Sequence, residues 1–312
     1  MKKYMPIILS IIALVVLFSL LIYIKSDRIK PDTNNNTFGN FDKQRSCVQL
    51  PKFLEKQKIA NPIMIDLTQQ RFTGIGFLHG KGLKQTLHSR AWERYEHFST
   101  YALDKVGNLY LAPMPFISIK PTTFNLQKNI YKMDSETSKL SIFMHFDDVH
   151  PSISNPYGII SIVYDCDDDT LWVSAIDETD YSSENGVIYH IDIKTKSVLQ
   201  RIEGFDAFTI KLLRTDKDKY LLAGSARDNG LYAFTFNQGV LLPKPKKLLE
   251  LAQPEEHIRK IKILDKNKLE LQIVSFAYTM VTETSDKYRV LYQAEKKNLS
   301  SEWKLTKMDT QH

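Results

Sequence analysis

Residues 160–174 read ISIVYDCDDDTLWVS, an apolar run followed by an acidic turn and a second apolar run. The β-branched and aromatic residues on either side of the turn are typical of two antiparallel strands. Asp favours the tight dihedral angles that such a turn requires. The same order of strand, polar turn and strand recurs at 100–113, 210–224 and 261–273. The stretch is therefore one copy of a repeated strand pair.

Each of these strand pairs is followed by a second pair. The second pairs begin at 130–134, 188–192, 231–234 and 288–292, and each continues through a polar turn into a last apolar segment. Four short strands in every repeat of roughly 45 to 60 residues are typical of the blade of a β-propeller. Apolar residues do not recur with a helical period of about 3.6, which argues against alternating strands and helices. We therefore predict an all-β fold.

The stretch 61–95 is a degenerate copy of the repeat. Residues 63–72 read as a strand pair, and glycines follow between 74 and 82. The stretch forms a further blade, or it supplies strands that close the ring against the C-terminal repeat, because an open propeller leaves two exposed sheet edges. We predict a β-propeller of five blades, with six blades as the alternative.

An apolar segment near the N-terminus predicts a transmembrane helix. Residues 6–24 carry no charge, and as a helix they span about 28 Å, which is enough to cross a hydrocarbon core. No small residues of the kind that precede a signal-peptidase site follow the segment, so a signal anchor is favoured over a cleaved signal peptide. We assign residues 1–25 to the signal anchor, 26–58 to a flexible linker and 59–312 to the propeller domain.

Positive charges flank both ends of the predicted anchor. Lys2 and Lys3 precede it and Lys25, Arg28 and Lys30 follow it, so the positive-inside rule gives no clear orientation. A short N-terminal tail before a single span usually stays in the cytoplasm. We therefore expect a single-pass protein of the cell membrane, in contact with the membrane through its N-terminal helix, with an extracytoplasmic C-terminal domain.

The net charge of +6 is modest for 312 residues, since 42 Lys and Arg are set against 36 Asp and Glu. No run of five like charges occurs, so the chain lacks the basic stripe of a nucleic-acid surface. We expect no nucleic-acid partner.

The two cysteines, Cys47 and Cys166, lie far apart in the sequence. A core of this size needs no disulfide framework, and a sequence does not reveal the Cα separation that a disulfide requires. We expect two free thiols, one in the linker and one in a turn, with a disulfide between them as the alternative.

The segments NPYGII (155–160), LWVS (171–174) and GVIYHID (186–192) follow one another as the first, second and third strands of a blade. In this order they resemble the NHL-repeat and lactonase-type, gluconolactonase-like β-propeller superfamily. The resemblance implies that the turns at 104–108, 165–169, 215–219 and 265–268 share one face, which we call the turn face. The opposite face, which we call the long-loop face, then carries the connections 114–129, 147–157, 175–186, 203–207, 225–229, 253–258 and 275–287.

The long-loop face is the predicted binding surface. Long, irregular loops on a rigid scaffold commonly carry function, whereas short polar turns cannot form a concave site. We predict a ligand site around Asn155, Tyr157, Asp177, Asp180 and Arg227, and no cofactor. The function favoured is a binding module for a small molecule, a glycan or a protein. The alternative is that these loops only pack over the blades.

A metal-dependent hydrolase is the alternative function that the resemblance implies. Lactonase-type propellers hold a divalent metal on the axis, and Glu96 and Asp206 would be metal ligands here, with Ca or Zn as the cofactor. Tyr157 stands before Gly158 where the family pattern has Asn, so the ligand set is incomplete. Whether the protein is an enzyme therefore stays open.

Two acidic stretches also suggest cation binding. Residues 165–169 lack the Gly and the distant Glu of an EF-hand loop, and their place in the repeat indicates a solvated turn. Loop 176–185 brings four carboxylates to the long-loop face, as a solvated loop or as a site for a hard cation.

Overall fold

Twenty strands and four short helices make up the part of the chain that the computed structural model describes. The described residues are 47–59, 61–67, 72–115, 121–180, 182–215, 218–279, 290–297 and 302–308. The helices are α1 (Lys52–Lys56) and the 3₁₀ helices Lys81–Leu83, Arg90–Tyr95 and Pro121–Lys128. The strands are β1 (Ile63–Asp66), β2 (Gly76–His79), β3 (Gln85–His88), β4 (Phe98–Leu103), β5 (Leu109–Pro113), β6 (Asn129–Met133), β7 (Leu140–His145), β8 (Ile159–Asp165), β9 (Thr170–Ala175), β10 (Val187–Asp192), β11 (Val198–Glu203), β12 (Ala207–Arg214), β13 (Lys219–Ser225), β14 (Gly230–Asn237), β15 (Val240–Leu241), β16 (Lys246–Glu250), β17 (Glu256–Asp265), β18 (Lys268–Ser275), β19 (Val290–Glu295) and β20 (Lys304–Met308).

The strands form five antiparallel sheets in chain order, which are the blades of a propeller. The first blade has three strands, β1 to β3, and the second, third and fifth blades have four strands each, β4 to β7, β8 to β11 and β17 to β20. In the fourth blade β14 pairs with both β15 and β16. The prediction of an all-β propeller with five blades is confirmed, and the degenerate stretch supplies the first blade.

The turns of the repeat are built by their acidic residues. Asp104, at the end of β4, accepts hydrogen bonds from the backbone nitrogens of Val106 and Asn108, and the Asn108 side chain donates to its other oxygen at 2.7 Å. A carboxylate that satisfies backbone donors two and four residues later holds a tight turn without help from other elements. Local chemistry therefore sets the boundary between the first two strands.

Apolar side chains fill the spaces between neighbouring blades. One cluster joins the first two blades around Phe77 and Leu111, and the next joins the second and third blades around Tyr110 and Tyr189. Two further clusters join the third blade to the fourth and the fourth to the fifth. Both faces of a blade are thereby buried, which explains why its strands are apolar on both sides and why each blade depends on its neighbours.

Cys47 and Cys166 form a disulfide, so the expectation of two free thiols is wrong. Their Cα atoms are 6.0 Å apart, within the ordinary range, although 119 residues separate them in sequence. Cys166 lies in the turn between β8 and β9, and the fold brings Cys47 to the same turn face. Sequence spacing could not show this proximity.

The segment 47–58, predicted as the end of a flexible linker, packs on the turn face. The Gln49 nitrogen donates to the Asp104 carbonyl, and the Lys52 nitrogen donates to Ser135 Oγ at 3.0 Å. Phe53 and Leu54 of α1 are buried in the cluster between the first two blades. The packed part of the chain therefore begins before the predicted boundary at residue 59.

Within the described ranges, no helix is both long enough and apolar enough to cross a membrane. The predicted transmembrane segment 6–24 lies outside those ranges.

Candidate functional site

Four connections converge on the long-loop face near the third, fourth and fifth blades: 176–186, 204–206, 226–229 and 276–279. Residues of the first three connections, together with 243–245 between β15 and β16 and parts of β13 and β14, line a cavity of about 450 Å³. Its lining combines carboxylates, cations, aromatic rings and prolines: Glu184, Phe205, Ser225, Arg227, Asp228, Tyr232, Pro243, Lys244 and Pro245. This is the face that the sequence analysis selected for ligand binding.

Asp206 is the fixed point beneath this cavity. Its carboxylate is fully buried, accepting a hydrogen bond from Thr179 Oγ1 at 2.8 Å and one from the Tyr278 hydroxyl at 2.6 Å. Burial raises the pKa of the Asp206 carboxyl, and these hydrogen bonds oppose the rise. Because the three residues come from loops of the third, fourth and fifth blades, the carboxylate ties those blades together.

Gly186 allows the loop of the third blade to approach Asp206 closely. A Cβ atom at this position would lie 2.4 Å from Asp206 Oδ1 and 2.5 Å from the Phe205 carbonyl oxygen. Neither neighbour is the end of a flexible side chain that could move away. Any side chain at this position would clash with these two oxygens, so the residue preceding β10 has to be glycine.

Glu184 and Arg227 form the charged wall of the cavity. The Glu184 carboxylate accepts a hydrogen bond from the Asp206 nitrogen at 2.8 Å. Burial raises the pKa of Glu184, and the nearby Asp206 carboxylate adds to the rise, whereas the Arg227 charge opposes it. Arg227 donates to the Asp180 carbonyl oxygen at 2.5 Å. The wall thus offers a carboxylate acceptor and a guanidinium donor to a ligand.

Two of the five predicted ligand-binding residues belong to this site. Arg227 lines the cavity, and Asp180 supplies the carbonyl oxygen that holds it. The Asp180 carboxylate instead accepts hydrogen bonds from the backbone nitrogens and hydroxyls of Ser182 and Ser183, which lower its pKa. Its side chain therefore stabilises its own loop and does not face the cavity.

Asn155 and Asp177 act as supports behind the site. Asn155 is buried and donates from Nδ2 to the Thr179 carbonyl oxygen at 2.8 Å, so it holds the residue that binds Asp206. Asp177 is 8% exposed and accepts a hydrogen bond from the backbone nitrogen of His150 at 2.5 Å. Burial raises the pKa of the Asp177 carboxyl.

Tyr157 lies among aromatic rings where the first strands of the third, fourth and fifth blades converge. Its ring centroid is 5.0 Å from that of Phe276 and 6.5 Å from that of Phe208, and its hydroxyl donates to the Ala277 carbonyl oxygen at 3.1 Å. The five predicted residues therefore fall into two groups. Four of them line or support the cavity, and Tyr157 belongs to the aromatic group.

The two residues predicted as metal ligands differ in their surroundings. Glu96 is exposed, and its backbone carbonyl accepts a hydrogen bond from the Gly74 nitrogen at 2.8 Å. Both carboxylate oxygens of Asp206 already accept hydrogen bonds from hydroxyls. Among the residues described, no group of three or more His, Cys, Asp and Glu side chains is arranged to hold a metal ion.

The acidic turn 165–169 on the turn face is an ion-pair centre. Asp165 is fully buried, not solvated as the sequence analysis interpreted it, and it contacts Arg214 at 2.5 Å and also Lys219. The Trp172 indole donates to the same carboxylate at 3.3 Å. Cations of the neighbouring blade therefore occupy the place that a metal ion would take. Lys219 also lines a second, smaller cavity of about 280 Å³ on this face.

Sequence reasoning missed Thr179 and Tyr278 as members of the site. Each is an ordinary loop residue, and Tyr278 is 72 positions away from the carboxylate that it contacts. No local pattern marks either residue.

No protein-family model matches this chain, and no functionally curated protein matches it. Solved structures resemble its fold at low identity. A protein of unknown function from Bacteroides caccae is 12% identical, with a TM-score of 0.48 over 80% of this chain and 74% of that one. A glucose dehydrogenase is 10% identical, with a TM-score of 0.40 over 64% and 67%. An oligogalacturonate lyase from Vibrio parahaemolyticus is 9% identical, with a TM-score of 0.40 over 75% and 60%. Structural similarities this weak indicate nothing about the activity of this chain.

Proposed function

We propose that this protein is a membrane-tethered, extracytoplasmic β-propeller that binds a small polar molecule or a glycan on its long-loop face. The observation that carries the proposal is the cavity lined by Glu184 and Arg227 and fixed from beneath by the buried Asp206. A concave surface with a few convergent polar groups is the usual form of a ligand site.

The lining favours a ligand with many hydroxyl groups. Glu184 supplies an acceptor, Arg227 and Lys244 supply donors, and Phe205 adds an apolar ring to the lining. The Asp228 carboxylate already accepts hydrogen bonds from Gly230 and Tyr232 and pairs with Lys247. A sugar presents hydroxyls that both donate and accept, together with C–H faces that pack on aromatic rings. The mixed charge of the wall is less suited to a strongly charged ligand of either sign.

The disulfide supports the proposed compartment. Disulfides persist in oxidising, extracytoplasmic environments and are rare in the cytosol. The Cys47–Cys166 bridge also fixes the start of the described chain to the turn face.

The metal-dependent hydrolase has less support. Asp206 would have to give up the hydrogen bonds from Thr179 and Tyr278 before its oxygens could bind Ca or Zn. Metal analysis of the purified protein separates the two functions, because only the hydrolase requires a stoichiometric divalent ion.

A glycan array probed with the full-length chain tests the binding function. We expect retention of at least one glycan, with a loss of at least tenfold in the Arg227→Ala variant. Arg201→Ala is the matched control, since Arg201 lies on β11 and pairs with Asp148 and Glu203, away from the cavity. Equal losses in the two variants, or no retained glycan, would contradict the proposal.

A further inference from the structure

The first strands of four blades share a β-bulge at the same position. In β4 the register passes from Phe98 to Thr100, in β8 from Ile159 to Ser161, in β12 from Ala207 to Thr209 and in β17 from Ile258 to Lys260. The extra residues are Ser99, Ile160, Phe208 and Arg259. Bulges re-aim a side chain and are common at barrel rims and beside functional sites. Each of these four blades therefore turns one equivalent residue out of its ladder near the long-loop face.

These four bulged residues contact one another in pairs. Ser99 Oγ donates to the Ile160 carbonyl oxygen at 3.2 Å, and the Arg259 guanidinium donates to the Phe208 carbonyl oxygen at 3.2 Å. The guanidinium carbon also lies 4.9 Å from the centre of the Phe208 ring. Since β8 and β12, and β12 and β17, are in contact, the bulged residues lie where the first strands of the blades converge.

Arg259 is the one cation among these four side chains, and its charge is poorly compensated. Protein atoms surround it on most sides, yet it keeps some contact with solvent. Burial lowers the pKa of the guanidinium to about 10, so it stays charged at neutral pH. In the described part of the chain, no carboxylate lies within ion-pair distance of it, whereas Arg201 and Arg214 each contact two carboxylates.

One carbonyl oxygen uses only part of the hydrogen-bonding capacity of this guanidinium. Arginine has five N–H donors in a fixed fork that matches the two oxygens of a carboxylate. A guanidinium in largely apolar surroundings is costly unless it is paired, and here it has one carbonyl oxygen and the face of one ring. The guanidinium lies over the Phe208 ring and interacts electrostatically with Tyr157, and both residues belong to one buried aromatic cluster.

We propose that Arg259 and the aromatic group of Tyr157, Phe208 and Phe276 form a binding site for a small organic carboxylate. The guanidinium binds the carboxylate through its fork, and the rings contact the apolar body of the ligand. Phe276 is partly exposed, like Arg259, and so provides the open side of the site. Inorganic phosphate is a poorer fit, because one guanidinium in an apolar wall leaves most phosphate oxygens without donors. The site adjoins the cavity at Arg227, because the Phe276 ring packs against Tyr278, whose hydroxyl donates to Asp206. Variants at Arg259 and at Arg227 therefore have to be compared to tell the two sites apart.

Calorimetric titration of the full-length chain with sodium benzoate, in a buffer without carboxylates, tests this proposal. We expect saturable binding that inorganic phosphate does not displace. Arg259→Gln removes the charge and should weaken the affinity at least tenfold, while Arg201→Gln should leave it within twofold. Arg259→Lys keeps the charge but loses the fork, so it should also weaken binding.

Three results would overturn the proposal: no saturable benzoate binding by the unmodified chain, displacement of benzoate by phosphate, or unchanged affinity in the variants at Arg259. If Arg259→Gln does not fold, as judged by circular dichroism, the Arg259→Lys variant decides between the outcomes. Loss of benzoate binding in Arg227→Ala would place the carboxylate in the other cavity, and this too would overturn the assignment to Arg259.

Discussion

The Tyr278 hydroxyl donates a 2.6 Å hydrogen bond to the buried carboxylate of Asp206, across 72 residues of sequence. This bond joins a loop of the fifth blade to the start of the first strand of the fourth blade. With the bond from Thr179 of the third blade, it fixes three loops of the long-loop face to one side chain. The shape of the candidate binding cavity therefore depends on a contact buried beneath it.

Tyr278→Phe should lower the free energy of unfolding by about 1 to 3 kcal/mol, because it leaves one oxygen of a buried carboxylate without its donor. Urea denaturation measures the change. Tyr220→Phe is the matched control, since the Tyr220 hydroxyl makes only a 3.4 Å contact with Asp218 at the exposed surface. Its expected change is below about 0.5 kcal/mol. Similar changes in the free energy of unfolding for the two variants would mean that the Tyr278–Asp206 hydrogen bond stabilises the protein no more than a surface contact does.

The raised pKa of Asp206 predicts a pH dependence of stability. A carboxyl whose pKa is higher in the folded than in the unfolded state binds more protons when folded. Its contribution to stability is therefore greatest below the unfolded value of about 3.9 and is lost as the pH rises through the folded pKa. Asp206→Asn should remove this part of the slope, as measured by urea denaturation at several pH values. An unchanged slope would show that Asp206 titrates normally.

The disulfide predicts that no thiol of the unreduced protein reacts with a thiol reagent after denaturation in urea. Two thiols should react after treatment with a reductant. The double variant Cys47→Ser, Cys166→Ser should lose about 2 to 5 kcal/mol of stability, since the bridge constrains a long loop in the unfolded chain. Two reactive thiols in the unreduced protein would show that Cys47 and Cys166 are free and do not form a disulfide.

The proposed topology predicts that alkaline phosphatase fused to the C-terminus is active in cells, because this reporter folds only outside the cytoplasm. Deletion of residues 1–25 should abolish the activity while the fusion is still produced. A C-terminal fluorescent protein that folds only in the cytoplasm is the reciprocal reporter. Fluorescence together with an inactive phosphatase would place the propeller in the cytoplasm.

Local signals in the sequence were enough to predict the blades. The apolar runs of β8 and β9 and the acidic turn between them act over a few residues, so a single repeat contains the information. The assignment of the turns and the long loops to opposite faces came from the resemblance to a known propeller superfamily. It agrees with the observed strand order, in which successive antiparallel strands return their connections to alternate ends.

Long-range contacts were beyond such reasoning. The disulfide partner of Cys47 and the hydroxyl partners of Asp206 are brought together by the order of the blades around the ring. Asp165 looked like a solvated turn residue because Arg214 and Lys219, which pair with it, belong to the next repeat. Arg259 did carry a signal, since aligning the first strands of the repeats sets it against Ser99, Ile160 and Phe208.

The decisive observation is where a bound ligand lies on the propeller. A crystal structure of the protein with a glycan selected on the array should show the sugar in the cavity of the long-loop face, with its hydroxyls hydrogen-bonded to Glu184 and Arg227. A sugar bound on the turn face or along the outer strands, with the cavity filled by water, would rule out the long-loop cavity as the glycan site.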